Sequence, residues 1–170
     1  MTPLDLDTLC RLAEGVGAAY RLRGWRLATA ESCTGGLVSA ALTSVAGSSD
    51  WFDRGFVTYS NAAKSELLGV DPALFAQVGA VSPEVARAMA IGARQRAGVE
   101  VAVAITGIAG PGGGTPQKPV GTVWFGLAWG AGDAVHGETR HALFEGDRAR
   151  VRLQAAELAL RWLLQTAQPT

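Results

Sequence analysis

Hydroxyl and glycine residues are concentrated between positions 29 and 36 of this 170-residue chain. Ser32 and Thr34 are followed by Gly35 and Gly36, and an apolar helical stripe begins directly after them. Free N–H groups at a helix start bind anions, and glycines let a ligand approach the backbone. A plain helix cap with a tight turn is the alternative interpretation of the same spacing.

A second group of reactive residues has two parts. One is the Gly-Ser-Ser-Asp turn at 47–50, and the other is the segment from Tyr59 to Lys64. Ser60 and Lys64 are four residues apart and would share one helix face. A desolvated lysine can activate a serine hydroxyl, and Tyr59 would relay or orient the proton. The chain has 13 Arg but only two Lys, Lys64 and Lys118; of the two residue types, only lysine readily gives up its proton. The alternative is an N-cap serine beside a solvated lysine.

The third segment, 106–115, is dominated by glycine and resembles a phosphate-binding loop. It lacks both G-x-x-x-x-G-K-[ST] and a G-x-G-x-x-G that leads into a helix, which argues against a Walker-type ATPase and a Rossmann dehydrogenase. A flexible surface connection is the alternative. Thr106, at the end of a β-rich run, is a better functional candidate than the glycines that follow it.

Hydrophobic periodicity predicts the elements that hold these segments, in the order α-β-α-β-α-α-β-β-β-α. Thr2 and Pro3 favour a first helix that ends at Gly24, and Ser60, Ser82 and Asp147 are predicted caps of later helices. The predicted strands cover 26–30, 55–59, 99–105, 120–129 and 134–143, the last two joined by a hairpin turn. This order predicts one α/β domain over residues 1–170, a three-layer α/β/α sandwich with a mixed central sheet.

The composition limits the function classes. Fifteen basic and 15 acidic residues give zero net charge, which argues against nucleic-acid and anionic-membrane binding. Cys10 and Cys33 have no zinc spacing and are expected to be buried free thiols. His136 and His141 are expected to be surface residues, so no metal and no cofactor is predicted. No secretory or membrane-spanning pattern is visible, which favours a cytoplasmic protein.

The motifs at these segments, taken together, resemble those of the CinA C-terminal domain family over about residues 5 to 165. They are residues 29–36, 46–49, 54–61 with Lys64, 79–82, 106–111 and 118–123. Members of this family are nicotinamide-nucleotide amidases, which hydrolyse the carboxamide of nicotinamide mononucleotide to nicotinate mononucleotide and ammonia. Because there is no room for the additional N-terminal domain of some members, the chain is expected to resemble the stand-alone amidase form.

The resemblance also implies a metal-independent serine mechanism in which Lys64 is the catalytic lysine. Ser49 and Ser32 both match family site positions; we predict Ser49 as the nucleophile, with Ser32 binding or assisting, and Tyr59 as a further catalytic residue. Substrate-binding positions are predicted at Glu31, Thr34, Gly35, Gly36, Thr106, Gly107, Gly110 and Arg148, with Arg148 on the substrate phosphate. Backbone N–H groups of 32–36 or 106–112 are candidates for the phosphate or the oxyanion.

The expected partner is therefore a small nucleotide substrate, with a homodimer as the default assembly. A different class of function is a nucleotide-binding domain without catalysis, with a regulatory role in competence or DNA damage. Lys64 discriminates the two, because a binding module does not need a lysine beside a serine-lined strand end.

Overall fold

A computed structural model describes residues 4–167. The helices are α1 (Leu6–Arg23), α2 (Leu37–Thr43), α3 (Asn61–Leu68), α4 (Pro72–Gln77), α5 (Pro83–Ala97) and α6 (Arg148–Thr166), with a 3-10 turn at Ser48–Asp50. The strands are β1 (Leu27–Glu31), β2 (Phe52–Val57), β3 (Val101–Gly107), β4 (Thr122–Ala131) and β5 (Ala134–Leu143).

The five strands form one mixed sheet in the order β2-β1-β3-β4-β5. β1 runs parallel to both β2 and β3, and Glu31 lies beside Val57 on one side and Ile105 on the other. β4 and β5 are antiparallel additions that form the predicted hairpin. The carboxyl ends of the three parallel strands therefore meet at one edge of the sheet, where ligands of α/β proteins usually bind.

The two faces of the sheet are packed differently. Large side chains such as Leu27, Val103, Ile105 and Phe125 cover one face and contact α1, α2 and α6. Alanines of β1, β3 and β4 cover the other face and contact α5. A Cβ on Gly126 would lie 2.1 Å from the carbonyl oxygen of Ala86, so that only glycine lets α5 lie this close to the sheet.

The predicted fold class, a three-layer α/β sandwich with a mixed sheet, is confirmed. Gly24, Gly69 and the caps Ser60, Ser82 and Asp147 end or begin helices as predicted. The first helix instead begins at Leu6, where the Asp5 carboxylate accepts from Thr8 N–H; Thr2 and Pro3 lie outside the described residues. The six-residue α4 was not predicted, because so short a helix shows no recognisable apolar periodicity.

Candidate active site

A cavity of about 200 Å³ opens at the carboxyl ends of the parallel strands. Its lining comes from the turn after β1, the start of α3, the segment before α5, the end of β3 and the first residue of α6. The lining residues are Ser32, Cys33, Tyr59, Asn61, Lys64, Ala80, Val81, Thr106, Gly107, Ala109 and Arg148. The structure thus brings together six of the twelve predicted site residues.

Lys64 is the most unusual side chain of this cavity, because it is charged in water yet only 2% exposed here. It lies on helix α3 and extends to the carboxyl end of β1, where Nζ lies 3.1 Å from Ser32 Oγ. Nζ also donates to the carbonyls of Thr58 at 3.0 Å and Tyr59 at 3.3 Å. Within residues 4–167 no carboxylate lies within ion-pair distance of Nζ.

Burial without a counter-ion lowers the pKa of Lys64 from its ordinary 10.5, because desolvation penalises the ammonium form. The hydrogen-bond partners suit the neutral amine. Its two N–H groups match the two carbonyls, which can only accept, and its lone pair is left for the Ser32 hydroxyl proton. The arrangement can therefore remove a proton from Ser32.

Ser32 begins the turn between β1 and α2 and is 8% exposed. Its N–H donates to Ile105 and its carbonyl accepts from Gly35 N–H, so the serine backbone is held from both sides. Gly35 closes the turn with a φ of 59°, a conformation that favours glycine. The adjacent Cys33 also faces the cavity, but burial raises the pKa of its thiol to about 11 and keeps it protonated.

Glu31 is fully buried, and its position differs from the predicted substrate-binding role. Its carboxylate accepts hydrogen bonds from the N–H groups of Val38 and Ser39, both at 3.0 Å, and from the Ser39 hydroxyl at 2.7 Å. The N-terminus of α2 is thus already occupied by this side chain and does not offer those N–H groups to a phosphate.

Three other predicted binding positions lie outside the cavity lining. Thr34 is fully buried, and its hydroxyl has no partner among residues 4–167. Gly35 and Gly36 have positive φ angles and shape the turn. The effect of these two glycines on a ligand would come through the shape of the turn and not through contact at the cavity wall.

Arg148 and Tyr59 close the outer side of the cavity. The Arg148 guanidinium donates to the Tyr59 hydroxyl at 2.7 Å and to the carbonyl of Gly110 at 2.8 Å. Gly110 therefore contributes by anchoring Arg148, although it does not line the cavity. Of the described lining residues, Arg148 carries the only permanent positive charge, and no carboxylate neutralises it.

Thr106 and Lys118 fix the wall opposite Lys64. The Thr106 hydroxyl donates to the Ala80 carbonyl at 2.8 Å, and Lys118 Nζ donates to the Val78 carbonyl at 2.6 Å. Gly107 lies where a Cβ would come within 2.7 Å of Val123 Cγ2 and 3.1 Å of Cys33 Sγ. These residues keep the loop 106–119 against the segment that precedes α5.

The structure does not place Ser49 with Lys64. Ser49 is exposed in the 3-10 turn before β2, whereas Lys64 follows the other end of that strand. Five residue steps along β2 separate the two ends by roughly 17 Å. Within one chain the predicted Ser49–Lys64 pair cannot form, and Ser32 is the serine in contact with the amine.

Ser60, considered above as a partner of Lys64, is an N-cap that accepts from Ala63 N–H at 3.0 Å. The capping half of that alternative is confirmed, and the solvated-lysine half is wrong. Cys10 and Cys33 are both free, with Cys33 buried and Cys10 half-buried. His136 and His141 pack on Trp129 and Trp124 along β5.

Sequence reasoning missed several lining residues. Asn61 lies one turn before Lys64 on α3, so its helical spacing was a usable signal. Ala80, Val81 and Ala109 have apolar side chains that carry no chemical signal. In the described part of the chain, no group of three or more His, Cys, Asp or Glu residues could hold a metal ion, and no helix has the length and apolar composition needed to cross a membrane.

Comparisons with known proteins give related sequences and a related structure. The nicotinamide-nucleotide amidohydrolase PncC of Enterobacter agglomerans is 54% identical over 156 residues, 92% of this chain and 93% of that protein. The protein of the same name from Pseudomonas putida is 52% identical over 160 residues, 94% of this chain and 98% of that protein. The crystal structure of a competence/damage-inducible protein from Agrobacterium tumefaciens superposes with a TM-score of 0.87 at 42% identity, covering 95% of this chain and 96% of that one. A model of the CinA C-terminal domain matches residues 10–167, and the chain belongs to this family.

Proposed function

We propose that this protein is a nicotinamide-nucleotide amidase that hydrolyses nicotinamide mononucleotide to nicotinate mononucleotide and ammonia, with Ser32 as nucleophile and Lys64 as base. The observation that carries the assignment of roles is the buried Lys64 amine, which has no counter-ion among the described residues and lies 3.1 Å from the Ser32 hydroxyl. Relatives over 50% identical that bear the amidohydrolase name support the reaction.

The first half of the reaction forms an acyl-enzyme. Lys64 takes the Ser32 proton while Oγ attacks the carboxamide carbon, and the carbonyl oxygen becomes an oxyanion. The Lys64 ammonium then gives that proton to the departing amide nitrogen, which leaves as ammonia when the C–N bond breaks. One lysine thus acts as base and then as acid, which requires a pKa below the ordinary lysine value.

The second half releases the acid. A water molecule enters where ammonia left, and Lys64 removes its proton as the water oxygen attacks the ester carbon. The tetrahedral intermediate breaks down by expelling Ser32 Oγ, which recovers its proton from Lys64. The product is the carboxylic acid, which loses a proton to solvent, so that one water is consumed and one ammonia is released.

Cys33 and Thr34 supply the donors that we assign to the oxyanion. Neither N–H has a partner among the hydrogen bonds of the described residues, although both lie in the turn that carries Ser32. An N–H of the residue that follows a nucleophilic serine is a recurrent oxyanion donor. Tyr59 holds Lys64 through its carbonyl and Arg148 through its hydroxyl, and we assign it a positioning role.

Ammonia release from nicotinamide mononucleotide tests the assignment. Ser32→Ala and Lys64→Met should each lower kcat by at least about 10³-fold, since members of one catalytic unit fail together. Ser49→Ala is the matched control, because Ser49 is an exposed serine at the amino end of β2. Its kcat should stay within about twofold of wild type. Mass spectrometry of enzyme quenched during turnover should locate the acyl group on Ser32.

An acyl group on Ser49, or full activity in Lys64→Met, would refute these roles. Wild-type protein that binds the nucleotide but releases no ammonia would instead favour the non-catalytic regulatory domain. We also propose, from the sequence alone, that the protein is cytoplasmic and forms a homodimer. Light scattering after size-exclusion chromatography tests the assembly, since a dimer has twice the 17.6 kDa mass of one chain.

A further inference from the structure

We propose that Arg152 is a positioning residue that orients the oxyanion-binding backbone beside Ser32; this role rests on the hydrolysis proposed above. Arg152 lies on α6, 118 and 119 positions from its two partners. Its Nε donates to the Cys33 carbonyl at 3.0 Å and its Nη2 to the Thr34 carbonyl at 3.2 Å. Its guanidinium pairs with no carboxylate in the described structure, so its polar contacts are committed to this turn.

Peptide geometry converts the contact with the Cys33 carbonyl into a direction for the Thr34 N–H group. In a trans peptide the carbonyl and the following N–H lie in one plane and point in opposite directions. Because Arg152 holds the Cys33 carbonyl, the Thr34 N–H points away from α6. The Ser32 carbonyl is likewise held by Gly35 N–H, which fixes the plane containing the Cys33 N–H. Arg152 thus sets the direction of the Thr34 N–H, and the Gly35 N–H sets that of the Cys33 N–H.

Arg152 also strengthens the Thr34 N–H as a donor. A guanidinium on a peptide carbonyl polarises the peptide, and hydrogen bonds in a chain reinforce one another. Its Nη2 would lie 3.2 Å from a Cβ on Gly35, so the guanidinium closely approaches the turn. Oriented donors act mainly where charge develops during the reaction, so Arg152 should affect kcat more than substrate binding.

The test compares Arg152→Ala with wild type in steady-state ammonia release and in acylation of Ser32 by p-nitrophenyl acetate. The ester reports the nucleophile and oxyanion donors without the nucleotide contacts. We expect kcat and the acylation rate to fall about 10- to 100-fold, with KM within about threefold. Arg152→Lys can hold one carbonyl, so its rates should lie between those of wild type and Arg152→Ala. Millimolar guanidinium should restore part of the rate to Arg152→Ala alone.

Arg161→Ala is the matched control, because Arg161 lies on the same helix and, among the described residues, pairs only with Glu157. Its kinetics should equal those of wild type. Normal kcat in Arg152→Ala, a change confined to KM, or a loss that follows unfolding without guanidinium rescue would each overturn the positioning role while leaving the amidase assignment intact. A wild type inactive on both substrates would overturn the amidase assignment and this inference with it.

Discussion

The chemistry of the cavity depends on the protonation state of one side chain, Lys64. Its amine is surrounded by Ser32 Oγ and two carbonyls, and burial lowers its pKa from 10.5. Only lysine fits this environment, since arginine stays protonated and cannot act as a base. This explains why a chain with 13 arginines has lysine at this position.

The rate should therefore rise with pH through the Lys64 pKa. The active form is the neutral amine, so kcat/KM falls as pH drops below the pKa of the free enzyme and levels off above it, at a midpoint under 10.5. The pyridinium cation of bound substrate disfavours the ammonium further, so the kcat midpoint should lie at lower pH. Stopped-time ammonia assays across pH measure both midpoints.

The substrate phosphate itself titrates near pH 6, so nicotinamide riboside, which lacks it, is the control substrate for the pH profile. The same ordering of the two midpoints is expected with the riboside. A profile that is flat, or that falls as pH rises through the neutral range, would contradict Lys64 as the base.

Helix α2 places the nucleophile turn through a buried carboxylate, and this is an effect of a whole element. Its seven residues leave N-terminal N–H groups that Glu31 satisfies from the end of β1. The bonds fix the chain on both sides of Ser32. The sequence motif predicted Glu31 as a substrate-binding residue, because spacing alone could not tell a cap from a ligand contact.

Glu31→Gln should destabilise the fold by about 1–3 kcal/mol, because the amide replaces one acceptor by a donor that faces a backbone N–H. Urea denaturation gives the free energy of unfolding. Glu66→Gln, an exposed residue of α3, is the control and should change stability by less than about 0.5 kcal/mol. Equal stability of the two variants would show that α2 does not need the charged cap.

The position of Lys64 depends in turn on how α3 packs against α5. A Cβ built on Gly92 of α5 would lie 1.9 Å from the carbonyl oxygen of Leu68, the last residue of α3. Only a glycine at this point lets the two helices lie together. The periodicity predicted both helices, but it did not show which backbone Gly92 meets.

Gly92→Ala should therefore lower both stability and activity. The added methyl group displaces α3, with an overpacking cost of about 1–3 kcal/mol, and a shift of Lys64 by about 1 Å costs about 10²-fold in kcat. Gly15→Ala, in α1 with only Leu164 methyl groups 3.6 Å away, is the control and should stabilise by about 0.5–1 kcal/mol. Unchanged kcat in Gly92→Ala would show that the site tolerates this shift.

The complete cavity is a property of the folded molecule, since its lining runs from Ser32 to Arg148. Local patterns identified strands, helices and the polar segments that follow them, because those depend on period and cap chemistry. They did not show that Arg148 lies at the carboxyl ends of β1, β2 and β3 and that Ser49 does not, because strand order is decided by long-range pairing. The contact of Arg152 with the Ser32 turn has the same origin and no local signal.

Because Arg148 joins α6, Tyr59 and the loop at Gly110, a phosphate held there should stabilise the whole molecule. In Ser32→Ala protein, which prevents turnover, saturating nicotinamide mononucleotide at 100 times Kd should add about 2.7 kcal/mol to the free energy of unfolding.

Arg148→Ala in the same background should weaken this binding about 10- to 100-fold, the loss of one charge-assisted contact. Nicotinamide riboside should bind both proteins alike, and Arg150→Ala, on the same exposed turn, should leave both affinities unchanged. Calorimetric titration measures them, and an equal loss for nucleotide and riboside would mean that Arg148 supports the cavity wall and does not read the phosphate.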